Sequence, residues 1–167
     1  MKHLLMSPYS RMTIYFSKLI FSILIMLLQF VFIAAIVYAG SFAFSEAGDP
    51  ILFRDTIVEV VSPIFTIFMT LFFSLLFRSV GMIIGFTVLA QFFTSIAGNL
   101  LVGFKPAIAK WIVFMHLDWS MYFKDSMTYG TSEAMGTTLT FSALFVLAHI
   151  IVLLGASILV FQRKSYT

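Results

Sequence analysis

No charged side chain occurs between Lys18 and Glu46, and the intervening LIFSILIMLLQFVFIAAIVYAGSFAF is apolar on every side of a helix. That is what lipid demands of a spanning segment. Three further uncharged stretches follow, Val60 to Phe77, Ser79 to Phe104 and Ala134 to Gln162. The second is just long enough, at about 1.5 Å per residue, to cross a hydrocarbon layer of about 30 Å with little tilt, and its start takes in Ile57 and Val58. Only Arg78 separates the second stretch from the third, so the two form a tight helical hairpin with that arginine at an interface. Composition agrees: 61% of residues are hydrophobic and 10% charged, against about 25% charged in ordinary soluble domains. A large soluble catalytic domain is excluded.

The sequence thus predicts an all-α integral membrane protein with a single polytopic domain over residues 1–167. Its spans are expected at about 19–44, 57–77, 80–103 and 135–161, after a basic leading segment 1–18. Sorting the charges onto alternate sides of four spans gives a clean partition. One side holds Lys2, Arg11, Lys18, Arg78, Arg163 and Lys164 with no acid. The other holds Arg54, Lys105, Lys110 and Lys124 beside all seven acids, Glu46, Asp49, Asp55, Glu59, Asp118, Asp125 and Glu133. By the bias of lysine and arginine toward the cytoplasm, both termini are expected to be cytoplasmic, in a plasma or inner membrane. Arg11 and Lys18 precede an apolar run too long for a secretory signal core, so the N-terminus is expected to remain in the mature chain.

The two loops on the acidic side differ. Residues 45–59 carry Gly48-Asp49-Pro50 and read as a solvated connector. Residues 105–125 place Ile108, Trp111, Ile112, Met115, Trp119, Tyr122 and Phe123 at three-and-four spacing, which predicts an outer amphipathic helix begun by Pro106. Both tryptophans, Trp111 and Trp119, lie here, as rings at headgroup level do; the segment is an interfacial anchor or an outer gate.

Residues for covalent chemistry are missing. No phosphate-binding glycine loop, zinc-protease helix or serine elbow occurs, and the chain has no cysteine. The chain is therefore not expected to be an enzyme or to bind a cofactor or metal, and a membrane enzyme acting on lipid lacks an acid, base or metal cluster. His116 and Asp118 are two apart, and on a helix such positions face different directions, a poor start for a metal site. No carboxylate lies deeper than Glu59, which argues against proton antiport. His149 falls in mid-span, either bonded to a hydroxyl such as Ser142 or lining a path. Gln91, Ser95 and Asn99 add polar positions to the third span, and Gly81 and Gly85 form a small-xxx-small pair that favours close helix packing. The ten methionines and 21 phenylalanines are either an adaptable surface for an amphiphile or ordinary filler.

The leading MKHLLMSPYSRMTIYFSK, through Leu4, Leu5, Ser7, Pro8, Ser10, Arg11 and Lys18, resembles the cytoplasmic segment before the third span of type 2 ATP-binding-cassette exporter permeases. The layout that follows is similar over essentially the whole chain. The resemblance implies a permease subunit that exports an amphiphilic cargo such as a peptide, lipid or drug, paired with a second permease copy or relative. ATP would be hydrolysed by a cytoplasmic partner subunit. It further implies that the segment with Ser7, Pro8, Arg11 and Lys18 couples to the ATPase and that the outer segment with Trp111 and Trp119 belongs to the gate; on this reading the polar mid-span residues Asn99 and His149 are the candidates for cavity polarity. The residues alone leave Arg11 and Lys18 equally suited to anionic lipid. Such permeases have six spans and this chain matches the last four, so the expectation includes a truncated or split form. The alternative is a non-transporting membrane scaffold, regulatory subunit or inactive permease fragment.

Overall fold

The computed structural model describes residues 11–44, 50–126 and 128–163. Among them the regular structure is entirely helical: α1 (Arg11–Phe44), α2 (Pro50–Val58), α3 (Val61–Leu76), α4 (Val80–Phe104), α5 (Pro106–Ala109), α6 (Tyr129–Met135) and α7 (Leu139–Arg163). Two 3-10 turns, Val113–His116 and Trp119–Tyr122, lie between α5 and α6. Four helical stretches, Met12–Phe42, Arg54–Leu76, Val80–Phe104 and Leu139–Arg163, are long and apolar enough to cross a membrane. The described residues thus form an all-helical protein with four candidate membrane-spanning helices.

Helix α1 fills the first described stretch, Arg11–Phe44, and is already helical through residues 11–18, ahead of the expected span. Nothing from Met12 to Ser17 breaks a helix, so the end of the basic segment and the first span are continuous. At about 1.5 Å per residue α1 is about 51 Å long, well beyond the hydrocarbon thickness.

The second span is interrupted, and Pro63 explains why. It has no N–H to donate to the Glu59 carbonyl; that oxygen instead accepts from Ser62 N at 3.2 Å, and α2 stops at Val58 before α3 begins. At the other end of α3, Phe77, Arg78 and Ser79 make the expected short turn.

Helix α3 is the hub, packed against α1, α4 and α7. Phe65 and Met69 of α3, Val146 of α7 and Leu117 from the α5–α6 segment form the central cluster. Phe77 stacks on Phe86 with ring centroids 4.6 Å apart, closing the α3–α4 hairpin. At the Arg78 end, Tyr15 of α1 meets Phe161 of α7 at 5.6 Å. Lipid tails are as apolar as these side chains, so close packing rather than exclusion of water holds the spans together.

The outer segment departs from expectation. Residues 105–125 do not form one amphipathic helix; they fold as α5 and the two 3-10 turns into a compact cap at one end of the bundle. Local bonds compete with the helical ladder. Asp118 is extended and its Oδ1 accepts from Ser120 N at 2.9 Å, while the His116 ring occupies the Lys110 carbonyl. The three-and-four spacing does not mark one face: Ile108 and Trp111 are exposed, Met115 is buried, and His116, Leu117, Ser120 and Met121 are buried as well.

The fourth span is also shorter at its start than the expected residue 135. Gly136, at φ 62°, ends α6 in the left-handed conformation that glycine adopts without strain. Thr138 Oγ1 then accepts from Phe141 N at 3.3 Å as α7 begins. Residues 129–136 therefore belong to the cap.

Candidate functional site

Polar side chains gather in two places, a sealed knot inside the cap and an open furrow along the bundle. The knot centres on His116, which is fully buried beside Ser142 of α7, also fully buried. A carbonyl can only accept, so His116 Nε2–H donates to Lys110 O at 2.8 Å, and Nδ1 accepts from the Ser142 hydroxyl. The Tyr122 hydroxyl bonds to Ser142 in turn, with Thr137 Oγ1 at 3.3 Å. Phe141 and Phe145 flank the imidazole at 5.6 and 5.1 Å. Burial holds His116 below its ordinary pKa of 6.5, against the upward pull of the Lys110 carbonyl, with a further lowering from His149.

The knot fastens the cap to α7. Met115 supplies a second fastening by lying directly on Gly98 of α4, where any Cβ would overlap its thioether. A third is Arg54, whose guanidinium pairs with Asp55 at 2.8 Å and Asp125 at 3.3 Å and lies over the Phe123 ring at 4.3 Å. It ties α2 to the cap.

The furrow comprises two adjoining cavities. The first, about 560 Å³, lies between α1, α3 and α4 and is lined by Phe21, Ser22, Ile25, Met26 and Gln29 of α1 and Pro63, Thr66, Ile67 and Gln91 opposite. The second, about 490 Å³, lies under the cap and is lined by Glu59, Gln91, Ser95, Phe114 and Asp118. Ser62, Pro63 and Gln91 line both, so the two cavities adjoin. The Gln91 amide donates to Thr66 Oγ1, which donates to Ser62 O at 2.9 Å. The helix break at Pro63 thus sits where the two cavities join.

The residues singled out in the sequence are only partly assembled here. Ser7 and Pro8 lie outside the described residues, as does the Arg11 side chain; Lys18 is exposed on α1. Asn99 is exposed and His149 half-buried, and neither lines the furrow. His149 Nδ1–H donates to Phe145 O at 2.8 Å on its own helix. Ser142, expected as its partner, serves His116 instead, since it lies on the cap-facing side of α7. Trp111 is exposed against the edges of Phe141 and Phe145, and Trp119 Nε1 donates to His116 O at 3.0 Å, so both belong to the cap. Gly85 has no neighbour within 4 Å and Gly81 only Ser79 Oγ at 3.8 Å; the close approach falls at Gly98, because α4 meets α3 through Phe86 and Thr87 rather than through that pair. Asp118 turns to Ser120 rather than to His116, and among the described residues no group of three potential ligands could hold a metal.

Gln29 was not anticipated. A lone amide in an apolar run carries no periodic signal, and only the position of α3 shows that it lines a shared cavity. What this arrangement offers is room for non-covalent binding in two adjoining open cavities, with amides and hydroxyls where they meet and carboxylates at one end.

A model of the family described as protein of unknown function (DUF2705) matches residues 1–167. The chain belongs to that family. No curated protein and no solved structure matches this DUF2705 chain. Its function must accordingly be argued from the furrow, the cap and the distribution of charge.

Proposed function

We propose that this DUF2705 protein is the membrane permease subunit of an ATP-driven exporter of an amphiphilic cargo, working beside a second permease copy or relative and a cytoplasmic ATP-binding-cassette ATPase. The observation that carries the reading is the pair of adjoining cavities, which sets an apolar stretch at Phe21, Ile25 and Ile67 beside a polar stretch at Ser62, Gln91 and Ser95. A molecule with an apolar and a polar end would find both environments there. Further support comes from the charge arrangement. Lys18, Arg78 and Arg163 lie toward the end of the bundle opposite the cap with no acid beside them among the described residues, whereas the cap end holds Arg54, Lys105, Lys110 and Lys124 together with Asp55, Glu59, Asp118, Asp125 and Glu133. That arrangement fits cytoplasmic termini in a plasma or inner membrane and an outward cap. Arg11 lies on α1 at the end opposite the cap, the end we assign to the cytoplasm, where the ATPase would dock with the leading segment that includes Ser7 and Pro8.

The test is gentle extraction of the C-terminally tagged protein from its native membrane, followed by mass spectrometry of what co-purifies. An ATPase subunit is expected, with this chain or another permease. Recovery alone, or with unrelated membrane proteins, would overturn the exporter reading in favour of a non-transporting scaffold. Arg11→Glu should abolish the partner's stimulated ATP hydrolysis while leaving insertion intact, and unchanged stimulation would remove Arg11 from the coupling role.

A further inference from the structure

The two ends of the furrow differ in charge as well as polarity. Toward α1 it is lined by Phe21, Ile25, Met26 and Ile67, with Gln29 and Thr66 as polar points. Under the cap it is lined by two carboxylates, Glu59 and Asp118, with the hydroxyls of Ser62 and Ser95. Among the described residues neither carboxylate has a lysine or arginine in ion-pair contact; Arg54 is taken up by Asp55 and Asp125. Asp118 keeps its conformation through Oδ1, which accepts from Ser120 N and Oγ at 2.9 and 2.5 Å, leaving Oδ2 for another donor.

Two carboxylates with no lysine or arginine partner among the described residues, at the end of an apolar furrow, favour an occupant of opposite sign with an apolar tail. A neutral amphiphile would leave the carboxylates unpaired, and an anionic one would be repelled. The cavities, about 560 and 490 Å³, fall in the range of small-molecule sites. We propose that the furrow binds a cationic amphiphile, its positively charged head between Glu59 and Asp118 and its apolar tail running past Pro63 toward Phe21, Ile25 and Ile67. This names the cargo class for the exporter reading and rests on it only for the word cargo; the binding site stands on the furrow itself.

The experiment uses the full chain in phosphatidylcholine nanodiscs, whose lipids carry no net charge. Equilibrium dialysis measures labelled dodecyltrimethylammonium on protein-loaded against empty discs, with N-dodecylacetamide as the uncharged counterpart and tetramethylammonium as the tail-less one. The expected result is saturable excess binding of dodecyltrimethylammonium only. Glu59→Gln and Asp118→Asn should each weaken it about two- to fivefold, the effect of one exposed or partly exposed charge pair. Glu133→Gln, on α6 away from the furrow, should bind as the parent does. Unchanged tryptophan emission and circular dichroism establish that each variant is folded. Equal saturable binding of the acetamide, or parent-like binding by the folded Glu59→Gln/Asp118→Asn double variant, would overturn the proposal, as would no excess over empty discs. No ATPase enters this measurement. Charge-selective binding without a co-purifying ATPase would refute the exporter reading alone, and a co-purifying ATPase without binding would refute this inference alone.

Discussion

Ser142→Ala removes one hydroxyl from the knot that fastens the cap, and its cost follows from what each neighbour loses. His116 Nδ1 is fully buried and takes its only hydrogen bond from Ser142, so the variant strands an acceptor away from water. Stranding such a group costs about 1–3 kcal/mol. Tyr122 loses less, because Thr137 Oγ1 is already 3.3 Å from its hydroxyl. Tyr122→Phe leaves the Ser142–His116 bond in place and should cost only about 0.5–1.5 kcal/mol, the net worth of one hydrogen bond. Because the two substitutions act on one chain of bonds, the double variant should cost less than the sum of the singles. The two tryptophans of the protein, Trp111 and Trp119, both lie on the cap, so their emission during thermal or chemical unfolding in mild micelles reports on this region and not on the spans. Tyr122→Phe destabilising the cap as much as Ser142→Ala, or strict additivity in the double variant, would refute the chain of bonds.

The same emission should show a pH dependence with a definite sign. Folded His116 binds a proton less readily than the unfolded residue, so the cap keeps its full stability above 6.5 and loses it as pH falls from there through the lower folded value. His116→Gln should flatten that dependence, and an unchanged slope would exclude His116 as its source. Gly98→Val should weaken the cap by about 1–3 kcal/mol, since Met115 must leave its place on α4. Gly85→Val, into open space, should stay within about 0.5 kcal/mol of the parent, which calorimetry of the two variants would check. Since the chain has no cysteine, single cysteines can report topology: Lys124→Cys should react with an impermeant maleimide on intact cells and Ser79→Cys only after permeabilisation, the reverse pattern inverting the protein.

What could be read in the sequence followed from lipid's intolerance of charge. The gaps between Lys18 and Glu46 and between Arg78 and Lys105 fixed two spans, and Arg78 marked the hairpin between α3 and α4. The interruption at Glu59 was readable in principle from Pro63, whose missing N–H acts one turn upstream. The cap was not readable from periodicity. Its structure depends on side chains that bond the backbone, as Asp118 and His116 do, and on pairs far apart in the chain. Residues 116 and 142 are 26 positions apart, and no local pattern announces that a serine in one segment will satisfy a histidine in another. The furrow was hidden for the same reason: Gln29, Thr66 and Gln91 sit on three different helices and become neighbours only once those helices pack.

The unbroken length of α1 has a mechanical consequence. A single helix behaves as a stiff lever, and α1 carries Arg11 and, further along the same shaft, the furrow residues Phe21, Met26 and Gln29. Arg11 and Met26 are about 22 Å apart at 1.5 Å per residue, so swinging the shaft by about 10° around Arg11 would carry Met26 about 4 Å sideways. Part of the furrow's wall is the shaft itself and the rest belongs to α3 and α4. A torque at Arg11 would therefore widen or narrow the furrow directly, with no hinge inside the membrane.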